Sequence, residues 1–356
     1  MTTFTEEEVE RARGYHRPLY LTLPVDLALS LAVLCLFSFV WTPTWGPWAT
    51  ATLLLTVLVV AVGSLVRTPL AYWRGFVRER RYGFSTETRG AWALDRLKGL
   101  GIAAVLAAVA MLCLVGLARA FPGWWVVPAA VSAALLVLVT SFVAPVVLEP
   151  IFNRFEPLPD RELAADLQGL AERVGVPIRE VLVADASRRT TKVNAYVSGL
   201  GRTRRLVLFD TLLERGRPRG LRLIVAHELG HRRYGHIVKA TVLAIAGAVL
   251  GVVVIWGVLG TDVADPAVVP RVMLVVTLLE LVSLPFEALL SRRWERQADR
   301  FSLEATDDLE AFVDVHHDLA LANLADLDPP RAVYAILFSH PTPPERIAAA
   351  TAWAAG

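Results

Sequence analysis

The stretch Leu221–His231 reads LRLIVAHELGH. His227 and His231 are four residues apart, so on a helix they share one face, their rings one above the other. That spacing lets one helix supply two nitrogen ligands to a single Zn²⁺. Glu228, beside the first histidine, projects to the side, where it can hold a water at the metal and take its proton. The apolar run ahead of it (Leu221, Leu223, Ile224, Val225, Ala226) is good helix-forming material and would bury this helix. The plainer reading is a helix with two satisfied histidines and a surface glutamate. Chance rarely supplies the whole motif in a chain of 356 residues.

A tetrahedral catalytic zinc needs a third protein ligand and an open position. The chain has seven histidines, and none completes a third-histidine pattern a few residues further on. His236 falls five residues after His231; on a continuing helix it points elsewhere, and it reads as a polar anchor at the start of the next apolar run. In SRRWERQAD (Ser291–Asp299), Glu295 and Asp299 are again four apart on one helical face. Glu295 is taken as the third ligand. Asp299 can hydrogen-bond the outer nitrogen of a ligand histidine and fix its tautomer. Alone, such a pair is ordinarily a solvated helix face; downstream of HELGH, with an apolar helix between, it becomes the expected partner.

Composition sets the frame. With 55% hydrophobic residues and mean hydropathy +0.49, the chain is not a soluble domain. Charged residues still make up 20%, so they must be segregated. A net charge of +2 gives no argument for a nucleic-acid partner. Cys35 and Cys113 both lie in apolar runs and form neither a disulfide framework nor a thiolate site. The N-terminal MTTFTEEEVERARGYHR is not a cleaved signal peptide.

Six stretches are long and apolar enough to cross a bilayer, near residues 19–41, 49–66, 99–118, 124–148, 240–260 and 272–290. Pro24 and Asp26 in the first suggest a later start. Short turns join the first two and the third and fourth into hairpins, with Trp41, Trp45, Trp48, Trp124 and Trp125 at the turns as interfacial aromatics. Residues 67–98 carry Arg67, Arg74, Arg78, Arg80, Arg81, Arg89, Arg96 and Lys98, whereas the opposite connections hold Arg119 and Arg271. The positive-inside rule puts both termini, the 67–98 loop and residues 149–237 in the cytoplasm, so the chain is expected to be a multi-pass protein of the inner (cytoplasmic) membrane with HELGH on its cytoplasmic side. Glu280 lies within the sixth run; it needs either a water-filled interior or a local hydrogen-bonded pair.

Four regions are expected: a four-helix membrane region over 1–148, a soluble block with HELGH over 149–237, two membrane helices over 238–290, and a helical block over 291–356 that completes the site. In the first soluble block, Leu163, Leu167, Leu170 and Val174 form an apolar stripe with Asp160 as N-cap. EVLVAD, KVNAYVSG and RRLVLFD read as a small sheet with a hairpin that could present an edge strand to an extended peptide; the plainer reading of KVNAYVSG is an ordinary hairpin strand.

Several stretches together resemble the type I CAAX prenyl endopeptidases, integral-membrane zinc metalloproteases of the sterile-24 type. RRYGFSTETRGAWALDRLKG is similar to that family's YGF segment, PIFNRFEPLPDRELAADLQGLA to its proline-rich segment, and VNAYVSGLGRTRRLVLFDTLL to its N-A-Y stretch. HELGH, SRRWERQAD and SHPTPPERI follow in the family's order. The resemblance implies a predominantly α, polytopic membrane protein, with six transmembrane helices and a cytoplasmic zincin-like metalloprotease domain containing a small β-sheet. Eukaryotic members have seven spans, and the six read here lack the first. It further implies His227, His231 and Glu295 as ligands of one Zn²⁺, Glu228 as general base, and Asp299 behind His227. Asn194, with Ala195 and Tyr196, would lie on the substrate-binding edge strand, and His340 and Arg346 would line the site and stabilise an oxyanion. The expected activity is that of a zinc endopeptidase of the gluzincin type, its partners a peptide or protein substrate, prenylated or membrane-associated, and the bilayer itself. A quality-control protease of the heat-shock HtpX type would use the same ligands. A membrane scaffold or transporter with a vestigial site would be expected to have lost the base or a ligand.

Overall fold

The computed structural model describes residues 4–199, 204–215 and 217–355. Among the described residues, six helices are long and apolar enough to cross a membrane. Their cores are α1 (Glu6–Cys35), α2 (Trp48–Tyr72), α3 (Arg89–Ala120), α4 (Val126–Val143), α7 (His236–Leu259) and α8 (Val269–Thr306). Between α4 and α7 come α5 (Arg161–Arg173) and α6 (Pro218–Arg233); α9 (Leu309–Asn323), α10 (Arg331–Leu337) and α11 (Pro343–Ala355) follow α8. Phe39, Val40, Leu65, Val146 and Phe286 stand exposed along the long helices, as lipid-facing residues must.

The helices run further than the apolar stretches alone suggest, because charged residues extend them without breaking the backbone ladder. α1 starts well before its apolar part, at a capping box in which Thr5 accepts from the Glu8 amide and the Glu8 carboxylate accepts from Thr5. Pro18 and Pro24 sit inside it, and Asp26 is satisfied by a two-pronged ion pair with Arg67 of α2, at 2.8 and 2.6 Å. Trp125 departs from the expectation of an interfacial belt. It is buried among Leu114, Val115, Val252 and Ile255, because the α3–α4 turn folds inward there, while Trp124 stays exposed. The Glu280 carboxylate has no hydrogen-bond partner among the described residues. An unpaired acid at that depth is tolerable only where water reaches it.

The sheet has four strands in the order β1-β2-β4-β3: β1 (Phe155–Pro157), β2 (Glu180–Ala184), β3 (Ala195–Ser198) and β4 (Arg205–Phe209). β2 and β4 are parallel, and the outer pairings are antiparallel. β3 and β4 form the expected hairpin, whose tip residues 200–203 lie outside the described residues. β1 has no counterpart in the sequence reading; three residues ending in proline carry too little pattern to register as a strand. Asp160 caps α5 by accepting from the Leu163 amide at 2.9 Å, and Leu167 and Leu170 pack under the sheet with Leu206, Leu208, Val225 and Leu229.

α6 and α8 cross closely. A Cβ on Gly230 would meet the Ala298 Cα at 3.2 Å and Phe301 Cδ1 at 3.1 Å. Gly230→Ala is therefore expected to force the two helices apart, costing about 1–3 kcal/mol and weakening metal binding, read by thermal unfolding and by chelator competition.

Candidate metal centre

The α6–α8 crossing carries the site. His227 and His231 project from α6 toward Glu295 on α8. Nε2 of His227 lies 3.1 Å from Nε2 of His231 and 3.3 Å from Glu295 Oε2, and His231 Nε2 lies 3.2 Å from Glu295 Oε1. Ligands about 2.0–2.2 Å from a tetrahedral zinc stand roughly 3.3 Å apart, so the spacings among the three side chains suit a shared ion, with Glu295 meeting His227 through Oε2 and His231 through Oε1. Glu295 Oε2 is buried with no hydrogen-bonded protein partner, which fits a carboxylate that awaits a cation.

Behind the triangle, Asp299 Oδ1 is 2.9 Å from His227 Nδ1. Arg346 from α11 grips the same carboxylate: its Nε donates to Oδ2 at 2.8 Å and its Nη2 to Oδ1. Arg346 thus spends its guanidinium on Asp299, and it stands 4.0 Å from Glu295. His340 sits on the exposed lip, Nε2 3.4 Å from Glu295 Oε1 and Nδ1 2.7 Å from Ser339 Oγ. Burial alone would push the His227 imidazolium down, but Asp299 and Glu295 outweigh it and hold its pKa up at about 9. Burial raises the Glu228 carboxyl, against the opposing pull of the two histidines.

A cavity of about 590 Å³ opens in front of the triangle, lined by Glu228, Asn194, Ala195, His316, His340 and Tyr20 among others. β3 is the sheet edge at this cavity and packs against α6. Asn194 is exposed there, its Oδ1 accepting from the Ala195 amide at 2.9 Å. Tyr196 does not join them. Successive strand residues alternate faces, so it turns to the far side of the sheet, its hydroxyl 3.4 Å from Glu149. Arg232 donates to the Val197 carbonyl, which closes the edge beyond Ala195.

Three residues of this region carry no signature in sequence. His316 of α9, buried, has its pKa pushed down to about 3 by burial and then by Arg346, and stands 3.9 Å from Asp299. Asn323 holds the edge strand at both backbone atoms of Val193, at 2.9 and 3.0 Å. Against the expectation that His236 points elsewhere, it lies 2.9 Å from His231. α6 ends before it, at Gly235 with φ +66°, so the helix does not continue and His236 is turned back.

A helical membrane frame with this His-His-Glu triangle and an adjoining glutamate is the architecture of a membrane metalloprotease. Comparison with known proteins agrees. Residues 157–354 match the description of Peptidase family M48, and residues 3–154 match the CAAX prenyl protease N-terminal region, described as having five membrane helices; four long apolar helices lie in that part of this chain. The "Uncharacterized metalloprotease YhfN" of Bacillus subtilis is 30% identical over 80% of this chain and 70% of its own length. CAAX prenyl protease 1 of Saccharomyces cerevisiae is 33% identical over 52% of this chain, which spans less than half (42%) of the yeast protein. The crystal structure of S. mikatae Ste24p superposes with a TM-score of 0.78 at 25% identity, covering 97% of this chain and 89% of that one. The chain belongs to peptidase family M48, among metalloproteases similar to CAAX prenyl protease 1.

Members of this family depend on zinc, and the donor set of two imidazoles and a carboxylate suits it. Zinc needs His227 neutral, whereas the free site holds it protonated below about pH 9. Apparent zinc affinity is therefore expected to fall about tenfold for each pH unit below 9, as chelator competition at a series of pH values would read; affinity independent of pH between 6 and 8 would contradict it.

Proposed function

We propose that this chain is a zinc endopeptidase that hydrolyses a peptide bond in an extended segment laid along β3, near the cytoplasmic face of the membrane. The observation that carries this reading is the convergence of His227, His231 and Glu295 at tetrahedral spacing, with Glu228 in the same cavity. Zinc held by those three residues would acidify a water toward pH 7 and polarise the scissile carbonyl. Glu228 takes a proton from the attacking water and passes it to the leaving amine; its raised pKa brings the carboxyl nearer the working pH of a general base. His340, on the lip beside Glu295, is the donor for the developing oxyanion. Asp299 and Arg346 hold His227 from behind. Asn194 and Ala195 form the open part of the edge, and Asn323 keeps it in place.

Basic residues concentrate in 67–98, which supports a cytoplasmic position for the site and both termini. The cavity wall includes Tyr20 and His16 of α1, the first apolar helix, so a segment emerging from the bilayer has a short path to the metal. Relatives named CAAX prenyl proteases point to C-terminal prenylated tails as the substrate class. The test compares cleavage of a farnesylated CaaX peptide, its unmodified twin and an unfolded membrane protein by the detergent-purified chain. Preference for the farnesylated peptide supports tail processing. Equal cleavage of all three favours quality control, and no cleavage of any overturns the protease reading.

A further inference from the structure

The two ligand histidines are supported in different ways, and the second support has no assigned role. We propose that His236, backed by Gln297, is the positioning residue that fixes the tautomer and orientation of His231. The proposal rests on the zinc reading of the site.

The geometry leaves one consistent placement of protons. His231 turns Nε2 toward His227 and Glu295, so that nitrogen must be bare to hold a metal, and its proton resides on Nδ1. Nδ1 then donates to Nδ1 of His236 at 2.9 Å, which requires that atom to be bare in turn. His236 therefore carries its proton on Nε2 and donates it to the Gln297 amide oxygen at 3.0 Å. An amide oxygen can only accept, so the chain of donors runs in one direction from the metal ligand to Gln297. His236 is 2% exposed and its ring stacks on Trp294 at 5.1 Å with 10° between planes, which fixes the ring plane, while the contacts of Nδ1 with His231 and of Nε2 with Gln297 set which edge faces which partner.

The arrangement depends on the break at Gly235. With φ +66° the chain leaves α6 and starts α7 at His236, five residues after the ligand yet beside it. Gln297 lies on α8 two residues past Glu295, so the same helix that brings the third ligand also brings the end of the donor chain. His227 leans on an anionic carboxylate; His231 leans on two neutral groups. A ligand imidazole is made more basic by a carboxylate than by a neutral acceptor, so the second support orients its ligand without adding charge to a buried site.

The experiment measures zinc affinity of the detergent-purified full chain by competition with a chromogenic chelator. His236→Asn puts an amide oxygen about where Nδ1 stood, while His236→Gln reaches toward Nε2 and leaves His231 unpartnered. His236→Asn is expected to bind zinc within about threefold of wild type and His236→Gln about 10- to 100-fold more weakly, with matching thermal midpoints for the two metal-free variants. Should His236→Gln fail to fold, Gln297→Leu, which removes the last acceptor, is expected to weaken zinc as well. Equal affinity in wild type and both histidine variants, or equal weakening in both, overturns the proposal while the site reading stands. A wild type that binds no zinc overturns both.

Discussion

Glu228→Gln is expected to retain one zinc per chain and to lose peptide hydrolysis by about 10²- to 10⁴-fold, the contribution typical of a positioned general base. The side chain changes by one atom and none of the triangle is touched, so the metal site should be intact; only the capacity to accept a proton is removed. Glu228 is half-buried in the cavity wall and sits next to His227 in the chain; Asp326 lines the same cavity, but its carboxylate is engaged by the Tyr20 hydroxyl and the Asp328 amide. Glu295 is a ligand, and Asp299 is sealed behind His227. Metal analysis and single-turnover cleavage measured on the same preparation check this. Substantial activity in the zinc-loaded variant would remove Glu228 from the reaction.

Asp299→Ala is expected to have the largest effect on stability. The carboxylate answers two donors on Arg346 and the outer nitrogen of His227, and both partners are largely shielded from water. Removing it leaves the interior guanidinium with only the more distant Glu295 carboxylate, 4.0 Å away and shared with the two histidines, as counter-charge, a loss of about 3–5 kcal/mol. It also frees the His227 ring, which should weaken zinc by a further 10- to 100-fold. Denaturant titration and chelator competition separate the two effects. Asp299→Asn keeps an acceptor for His227 and should recover part of the metal affinity but little of the stability. An Asp299→Ala protein as stable as wild type would mean that Arg346 finds water, and that the pair contributes little.

How far this could be read from sequence depends on the range of the signal. Membrane helices announce themselves because some twenty apolar residues in a row have few alternative uses, and α6 shows itself by two histidines at one helical turn. Glu295 and Asp299 could be read because helical spacing fixes their shared face, although nothing local says that α8 returns to α6. What escaped was set by tertiary contact or by one backbone angle. Asn323 and His316 stand on α9 at no recognisable spacing from the motif, and their bearing on β3 and Asp299 exists only once α9 has docked. Helical periodicity carried past His231 turns His236 away from it, but Gly235 ends that helix first. Adjacency in sequence puts Tyr196 with Asn194 and Ala195, whereas a strand sends neighbours to opposite faces.

α8 runs without interruption from Val269 to Thr306, past Pro285, and so joins the bilayer to the third donor of the metal triangle. Fifteen residues of helix separate Glu280 from Glu295, about 22 Å of a stiff rod. A lever of that length turns a five-degree change in tilt into a displacement of about 2 Å at its far end, and tilt is how a membrane helix answers a change in hydrocarbon thickness. One helix thus serves both as a membrane span and as the arm that carries the third donor, and the two cannot move independently.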